Sequence, residues 1–289
     1  MPLTLLQAWT SARKRLEEAA LAGPVIDARL LLEAAADVGR IDIVTDPYRL
    51  LTREQEARLE DYLARRIRRE PVSQIIGRRG FWNIMLRVTP GVLTPRPDTE
   101  TLVDVVRKSF PPERAFTVLD LGVGSGAILL AILAERPAAR GLGVDVSEEA
   151  LAVARDNAAS LGLAGRCALL RGDWTAGLAD EGFDLVVSNP PYIATAVIET
   201  LEPEVRVHEP RIALDGGPDG LEAYRTLAPE SLRVLRPGGM FAVEIGYDQA
   251  APVEALFRAA GAEAVHTLKD LAGRDRVVTG AKKALEIHR

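Results

Sequence analysis

From Thr117 onward, short apolar runs alternate with longer amphipathic stretches, and this alternation restricts the fold more than any other feature of the 289 residues. Candidate strands fall at 117–121, 141–145, 168–171, 184–188, 240–245, 264–268 and 276–280. Helical stretches at 127–135, 148–161, 221–235 and 250–260 separate most of them. Short buried strands joined through helices predict a doubly wound, mostly parallel α/β sheet. Only a turn at 269–275 joins the last two strands, too short for a crossover helix, so the last strand is predicted to run antiparallel.

The first seventy residues carry a different period. Leu3, Leu6, Trp9, Ala12 and Leu16 recur at helical spacing, as do Leu31, Leu32 and Ala35. Thr52 and Gln55 form a capping-box pattern before Leu59, Leu63 and Ile67, and Pro71 closes that helix. A small all-α domain is predicted over 1–73. Residues 74–98 are β-prone and bounded by Gly80, Pro90 and Gly91, which predicts a β-hairpin-like connector. The α/β domain then occupies 99–289. Arg65, Arg66, Arg68 and Arg69 cluster at a helix end, where a solvated face complementing the dipole is expected ahead of the alternative, a patch for an RNA-rich partner.

Composition excludes several classes. A net charge of −5 argues against holding nucleic acid by bulk electrostatics. The single cysteine, Cys167, rules out an internal disulfide, and its apolar flanks predict a buried core thiol. No run approaches the roughly 20 apolar residues of a membrane span, and the mixed charges of the first twenty residues do not resemble a signal peptide. A cytoplasmic location is expected. His208, His266 and His288 lack metal-ligand spacing, so no metal is expected.

Chemistry concentrates where predicted strands end. Ser188-Asn189-Pro190-Pro191-Tyr192 follows an apolar strand. Two adjacent prolines fix φ and remove N–H groups, leaving carbonyls without competing donors. An Asn amide, a proline carbonyl and an aromatic face suit a planar group bearing N–H₂. Ordinary Asn-Pro turns share this chemistry, so the motif gains weight only from its neighbours. Asp120-Leu121-Gly122-Val123-Gly124-Ser125-Gly126 ends one strand and opens a helix, at the edge where such sheets bind ligands. Its G-x-G-x-G spacing departs from the dinucleotide G-x-G-x-x-G pattern. Asp145 ends the next strand, where a carboxylate can accept from ribose hydroxyls. Gly172-Asp173-Trp174 follows the third, offering an acceptor for an adenine amine and a flat apolar neighbour.

This order of motifs resembles class I S-adenosylmethionine-dependent methyltransferases acting on planar nitrogen. More narrowly, Phe81-Trp82, Thr94-Pro95-Arg96-Pro97-Asp98-Thr99-Glu100 and Glu204-Val205-Arg206-Val207-His208-Glu209-Pro210 are similar to the peptide chain release factor glutamine methyltransferases. Asp215-Gly216-Gly217-Pro218-Asp219-Gly220-Leu221 and Gly273-Arg274-Asp275-Arg276-Val277 fit the same family. The resemblance covers nearly the whole chain. Val123 departs from the family's usual Thr and removes one hydroxyl from the glycine loop.

The resemblance implies the class I methyltransferase fold, S-adenosylmethionine as cofactor with S-adenosylhomocysteine as product, and methylation of the glutamine amide in the Gly-Gly-Gln segment of bacterial release factors. Asp120, Gly122, Gly124, Gly126, Asp145, Asp173, Trp174 and Asn189 are expected to bind the cofactor. Asn189, Pro190 and Tyr192 are the expected catalytic residues; with Pro191 and Arg96 they are expected to bind substrate. Asn189 Oδ1 and the Pro190 carbonyl accept the two amide hydrogens in this reading, and Tyr192 packs against the amide plane. No base is evident. Arg96 reads equally well as an ion-pair partner of Asp98 or Glu100, His208 as a surface or lid residue, and Glu244 as structural or lid-contacting. The helical domain is expected to contact a protein partner as a one-to-one monomer, with no membrane and no direct nucleic acid required. Competing readings are methylation of a ribosomal-protein glutamine, methylation of an exocyclic amine of adenine or guanine, and a non-catalytic binding module.

Overall fold

Two threonines start the helices of the amino-terminal region in the same way. The Thr4 and Thr52 hydroxyls accept the N–H groups of Gln7 and Gln55, whose side-chain oxygens accept the threonine N–H groups in return. A computed structural model describes residues 2–285 of the chain. It divides into one unit of Met1–Arg78 with Glu202–His208 and a second of Arg79–Leu201 with Glu209–Arg289.

In the first unit, helices Leu5–Glu18, Pro24–Ala36, Arg40–Thr45, Arg53–Ile67 and Val72–Ile76 close over Leu5, Leu16, Leu31, Leu32, Leu59 and Leu63. Arg66 corrects the expectation of a solvated arginine face. It is 5% exposed, with Nε 2.7 Å from Asp27 and Nη1 3.0 Å from Glu204, which Arg69 also reaches at 3.1 Å. Gln74 Nε2 donates to the His208 carbonyl at 2.9 Å. These bonds fasten the distant segment Glu202–His208 to the helices of this unit.

The second unit begins with a hairpin of β1 (Arg78–Phe81) and β2 (Ile84–Arg87), turned at Trp82 with φ +54°. A seven-stranded sheet follows, built of β3 (Thr117–Leu121), β4 (Arg140–Asp145), β5 (Cys167–Arg171), β6 (Phe183–Ser188), β7 (Leu235–Glu244), β8 (Ala262–Lys269) and β9 (Asp275–Lys282). The order is β5-β4-β3-β6-β7-β9-β8. Strands β3 to β7 pair in parallel, and β9 runs antiparallel to both of its neighbours. Alternate residues face opposite sides, as strand geometry requires. Val118, Leu185, Val187 and Ala242 enter one core with the helix Ala127–Glu135. Leu119, Val186, Phe241 and Val243 enter the other with helices Glu222–Val234 and Ala250–Ala259. The sheet is thus covered on both faces, in the doubly wound arrangement.

Strand β7 starts at Leu235, where the sequence reads the end of a helix, with a register shift opposite Phe183/Leu185. Cys167 is half-buried, not a core residue, because β5 is an edge strand. Burial still pushes its thiol up to about 11, away from reactivity at neutral pH. Among the described residues no helix is long and apolar enough to cross a membrane.

Candidate active site

The sheet reverses direction of winding at β3, which lies between β4 and β6. Leu121 pairs with both Val144 and Ser188, so the loops leaving β3, β4 and β6 emerge side by side at the carboxyl edge. This is the switch point at which doubly wound sheets bind ligands. A cavity of about 660 Å³ lies there.

The glycine loop forms one wall. Gly122 and Gly124 hold φ of +75° and +53°, a conformation that side chains disfavour. Its donors are turned inward. The N–H groups of Gly122 and Val123 bond the Val144 carbonyl at 2.9 and 3.0 Å, Gly124 N–H bonds Asp145 Oδ2 at 2.9 Å, and Gly126 N–H bonds the Val123 carbonyl at 2.8 Å. A pyrophosphate site needs such groups free; this loop suits a nucleoside. Asp145 also accepts from Ser147 N–H at 2.9 Å, which fixes its carboxylate on the cavity wall. Asn157 steadies the loop from behind: it exchanges hydrogen bonds with the Arg87 backbone and donates to the Ser125 carbonyl.

Gly122, Gly124, Asp145, Asp173, Trp174, Asn189, Pro191 and Arg96 line the cavity. Asp120, Gly126, Pro190 and Tyr192 stand outside that lining. Asp120 is fully buried; its Oδ2 accepts from Leu129 N–H at 3.1 Å while Oδ1 has no partner among the described residues. Burial pushes its carboxyl up to about 7 against the pull of that N–H. A Cβ at Gly126 would lie 2.9 Å from Leu130 Cδ1, so this glycine serves the start of the following helix. The Tyr192 ring packs with the second core, and its O–H donates to Glu244 Oε1 at 3.2 Å. Burial raises its phenol well above the ordinary value.

Arg96 pairs with neither Asp98 nor Glu100. Its Nη2 lies 2.8 Å from both oxygens of Glu209, whose carboxylate is almost sealed from solvent. Burial raises the Glu209 carboxyl, and the Arg96 charge opposes the rise. Residues Pro210 to Ala213, directly after Glu209, complete the cavity wall. The ion pair therefore ties the proline-arginine-proline segment to that wall. His208 is half-buried and does not line the cavity, His266 contacts the Ala264 carbonyl, and His288 lies outside the described residues. Among the described residues no three His, Cys, Asp or Glu side chains gather to hold a metal.

Two sets of supporting residues escape sequence reasoning. The first braces the turn at Asn189. A Cβ at Gly216 would lie 2.8 Å from the Pro191 carbonyl and Tyr192 Cα, and one at Gly220 would lie 2.4 Å from the Tyr192 carbonyl. Gln249 Nε2 donates to that carbonyl at 3.0 Å and to the Gly220 carbonyl at 3.2 Å. The glycine density of 215–221 was the available signal. The second set lies behind Asn189, whose Nδ2 donates to Thr99 Oγ1 at 3.2 Å. Glu244, 1% exposed, carries a carboxyl that burial pushes up to about 7; the Thr99 hydroxyl, Arg276 and Tyr192 pull it down, and Asp98 pushes it up.

Residues 7–77 match the PrmC N-terminal domain family, and residues 112–283 match a methyltransferase domain family. The chain is 69% identical to a release factor glutamine methyltransferase of Caulobacter vibrioides, over 99% of both chains. It is 47% identical to the Cereibacter sphaeroides protein of the same name, over 93% of this chain and 95% of that one. A methyltransferase structure from Pyrococcus furiosus shares the fold at a TM-score of 0.54 and 17% identity, covering 78% of this chain and 99% of that one.

Proposed function

The chain belongs to the release factor glutamine methyltransferase family, and from that premise we propose that it methylates the side-chain amide nitrogen of the glutamine in the Gly-Gly-Gln segment of bacterial release factors. The methyl donor is S-adenosylmethionine, which on binding supplies an electrophilic methyl group on a sulfonium sulfur and leaves as S-adenosylhomocysteine. The inward-turned donors of the glycine loop favour this nucleoside over a dinucleotide. Asp145 has lone pairs left for ribose hydroxyls, Asp173 is an acceptor for the adenine amine, and Trp174 offers a flat face beside it.

One observation carries the acceptor side. Asn189 lines the cavity with Nδ2 committed to Thr99, which leaves Oδ1 for a substrate N–H. An amide nitrogen delocalises its lone pair and is a weak nucleophile. Asn189 Oδ1 and the Pro190 carbonyl accept its two hydrogens and aim it. Both bonds strengthen as the nitrogen becomes positive, so they favour the transition state over the ground state, and the methylated nitrogen then releases one of its two protons to water. Tyr192 and Pro191 keep the turn in shape, and Arg96 secures the adjoining wall through Glu209. Residues 1–73 supply the docking surface for the protein partner, 74–98 connect, and 99–289 carry the chemistry. The enzyme acts as a cytoplasmic monomer and needs no nucleic acid.

A ribosomal-protein glutamine or a nucleobase amine presents the same N–H₂ group, so substrates must be compared directly. Incubation with labelled methyl donor and, separately, purified release factor, ribosomal proteins, DNA and tRNA is expected to label the release factor. Label confined to any of the others would overturn the proposal.

A further inference from the structure

Arginine gives its hydrogen bonds in a flat, rigid fork, so pinning one end of the guanidinium fixes where its other donors lie. Arg96 is pinned in this way. Its Nη2 lies 2.8 Å from both oxygens of Glu209, whose side chain is 1% exposed. Nε and Nη1 have no partner among the described residues, and the side chain, 43% exposed, borders the cavity. We infer that Arg96 binds the substrate main chain, its free N–H groups taking a carbonyl beside the target glutamine, and that Glu209 is the positioning residue that holds it there. The inference rests on the reading of a release factor segment as the substrate.

The backbone of Arg96 is as fixed as its side chain. Pro95 and Pro97 flank it, and a residue before proline is kept extended; Arg96 has φ −100° and ψ 145°. Its carbonyl accepts from Thr99 N–H at 3.2 Å, and Thr99 Oγ1 accepts from Asn189 Nδ2 at 3.2 Å. A donor and an acceptor for the substrate are therefore joined by two hydrogen bonds on the wall of one cavity. Asn189 Oδ1 meets the glutamine amide, and Arg96 meets the chain that carries it. A Gly-Gly stretch suits such a contact, because no side chain shields its carbonyls.

Charge balance separates this carbonyl from the other oxygen group at hand, the carboxylate of the methyl donor. The Glu209 carboxylate already offsets the Arg96 charge, so the pair offers N–H groups with little net charge. That combination suits a neutral carbonyl more than an anion. Arg211 also lines the cavity, but it is engaged at both ends, with Nε 3.3 Å from Asp215 and Nη1 3.4 Å from Glu199. Arg96 is the cavity arginine with donors to give. A contact to the main chain, away from the reacting atoms, is equal in the ground and transition states and so acts on binding.

The test is steady-state methylation of purified release factor by the full-length enzyme, with donor affinity measured by calorimetry. Arg96→Lys keeps a cation for Glu209, but a compact ammonium does not span carboxylate and substrate together. KM for release factor should rise roughly 10- to 100-fold, the scale of one lost hydrogen bond from a charged group. Turnover at saturation should stay within about threefold and donor affinity should hold, the pattern of lost uniform binding. Glu209→Gln, which keeps the shape and removes the charge, should raise KM about tenfold by letting the guanidinium turn away. A strut that merely closes the cavity wall predicts normal KM in Arg96→Lys, where the ion pair survives. Normal KM in either variant, or a loss confined to kcat, would overturn the inference while the release factor reading stands. A fall in donor affinity in Arg96→Lys would hand the guanidinium to the donor carboxylate and overturn it too. If Glu209→Gln fails to fold, Arg96→Lys decides alone. Wild type unable to methylate release factor would overturn both readings.

Discussion

Asn189 and Asp145 divide the site's work between them at the scale of single residues. Asn189→Ala removes an acceptor that matters most in the transition state, so turnover should fall by about 100- to 1,000-fold while donor affinity holds. Asp145→Ala should weaken the donor first, since the same carboxylate faces the cavity and ties down Gly124 N–H. Calorimetry with the donor, set beside steady-state rates, checks both; loss of donor affinity in Asn189→Ala would mean its role is misassigned. Asp120 makes a pH prediction of its own. Its carboxyl is raised from an ordinary 3.8 to about 7, so between those values the folded chain holds a proton that the unfolded chain has released. Stability contributed by that proton is complete at low pH and is lost as pH rises toward 7. Asn at this position removes the ionisation. The stability of Asp120→Asn relative to wild type should therefore improve by a few kcal/mol between about pH 4 and about pH 8, because each tenfold difference in proton affinity is worth roughly 1.4 kcal/mol. Urea unfolding at the two pH values measures this, and a gap independent of pH would contradict it.

Elements explain why the turn at Asn189 stays in place. Strand β6 delivers it, but the segment 215–221 and Gln249 hold its far side. Gly216→Ala would set a methyl group 2.8 Å from main-chain atoms of Pro191 and Tyr192, neither of which can give way like a flexible side chain. Turnover should fall at least about tenfold through misalignment, with the donor still bound; normal kcat in this variant would show that the bracing is dispensable. In the helical unit the comparable device is Arg66. Arg66→Ala strands Asp27 with little solvent and no arginine, leaves Glu204 to Arg69 alone, and should cost about 3–5 kcal/mol in chemical unfolding. Asp27, whose carboxyl burial already raises against the pull of Arg66, is the residue left most exposed to that loss. Neither device is local. Residues 202–208 carry no sequence mark of belonging with helices some 130 positions earlier, and the solvated face expected of Arg66 follows from helical position alone.

At the scale of the whole molecule, the doubly wound sheet was legible because its strands are short, apolar and separated by helices. The antiparallel last strand was legible because the 269–275 connection is short. That β9 rather than β8 lies beside β7 is not local information; it depends on which strand best completes the cores around Ala242 and Phe241. The candidate site follows the same rule. Its glycine loop, acids and Asn-Pro-Pro-Tyr turn each end a strand and could be read in order. Thr99, Glu244, Gly216 and Gln249 join them only through sheet register and loop packing. Fragmentation mass spectrometry of a release factor after reaction with the wild-type enzyme and with Asn189→Ala tests the central claim most directly. One methyl group is expected on the Gly-Gly-Gln glutamine with wild type and almost none with the variant. A methyl group on another residue, or equal modification by the two enzymes, would contradict it.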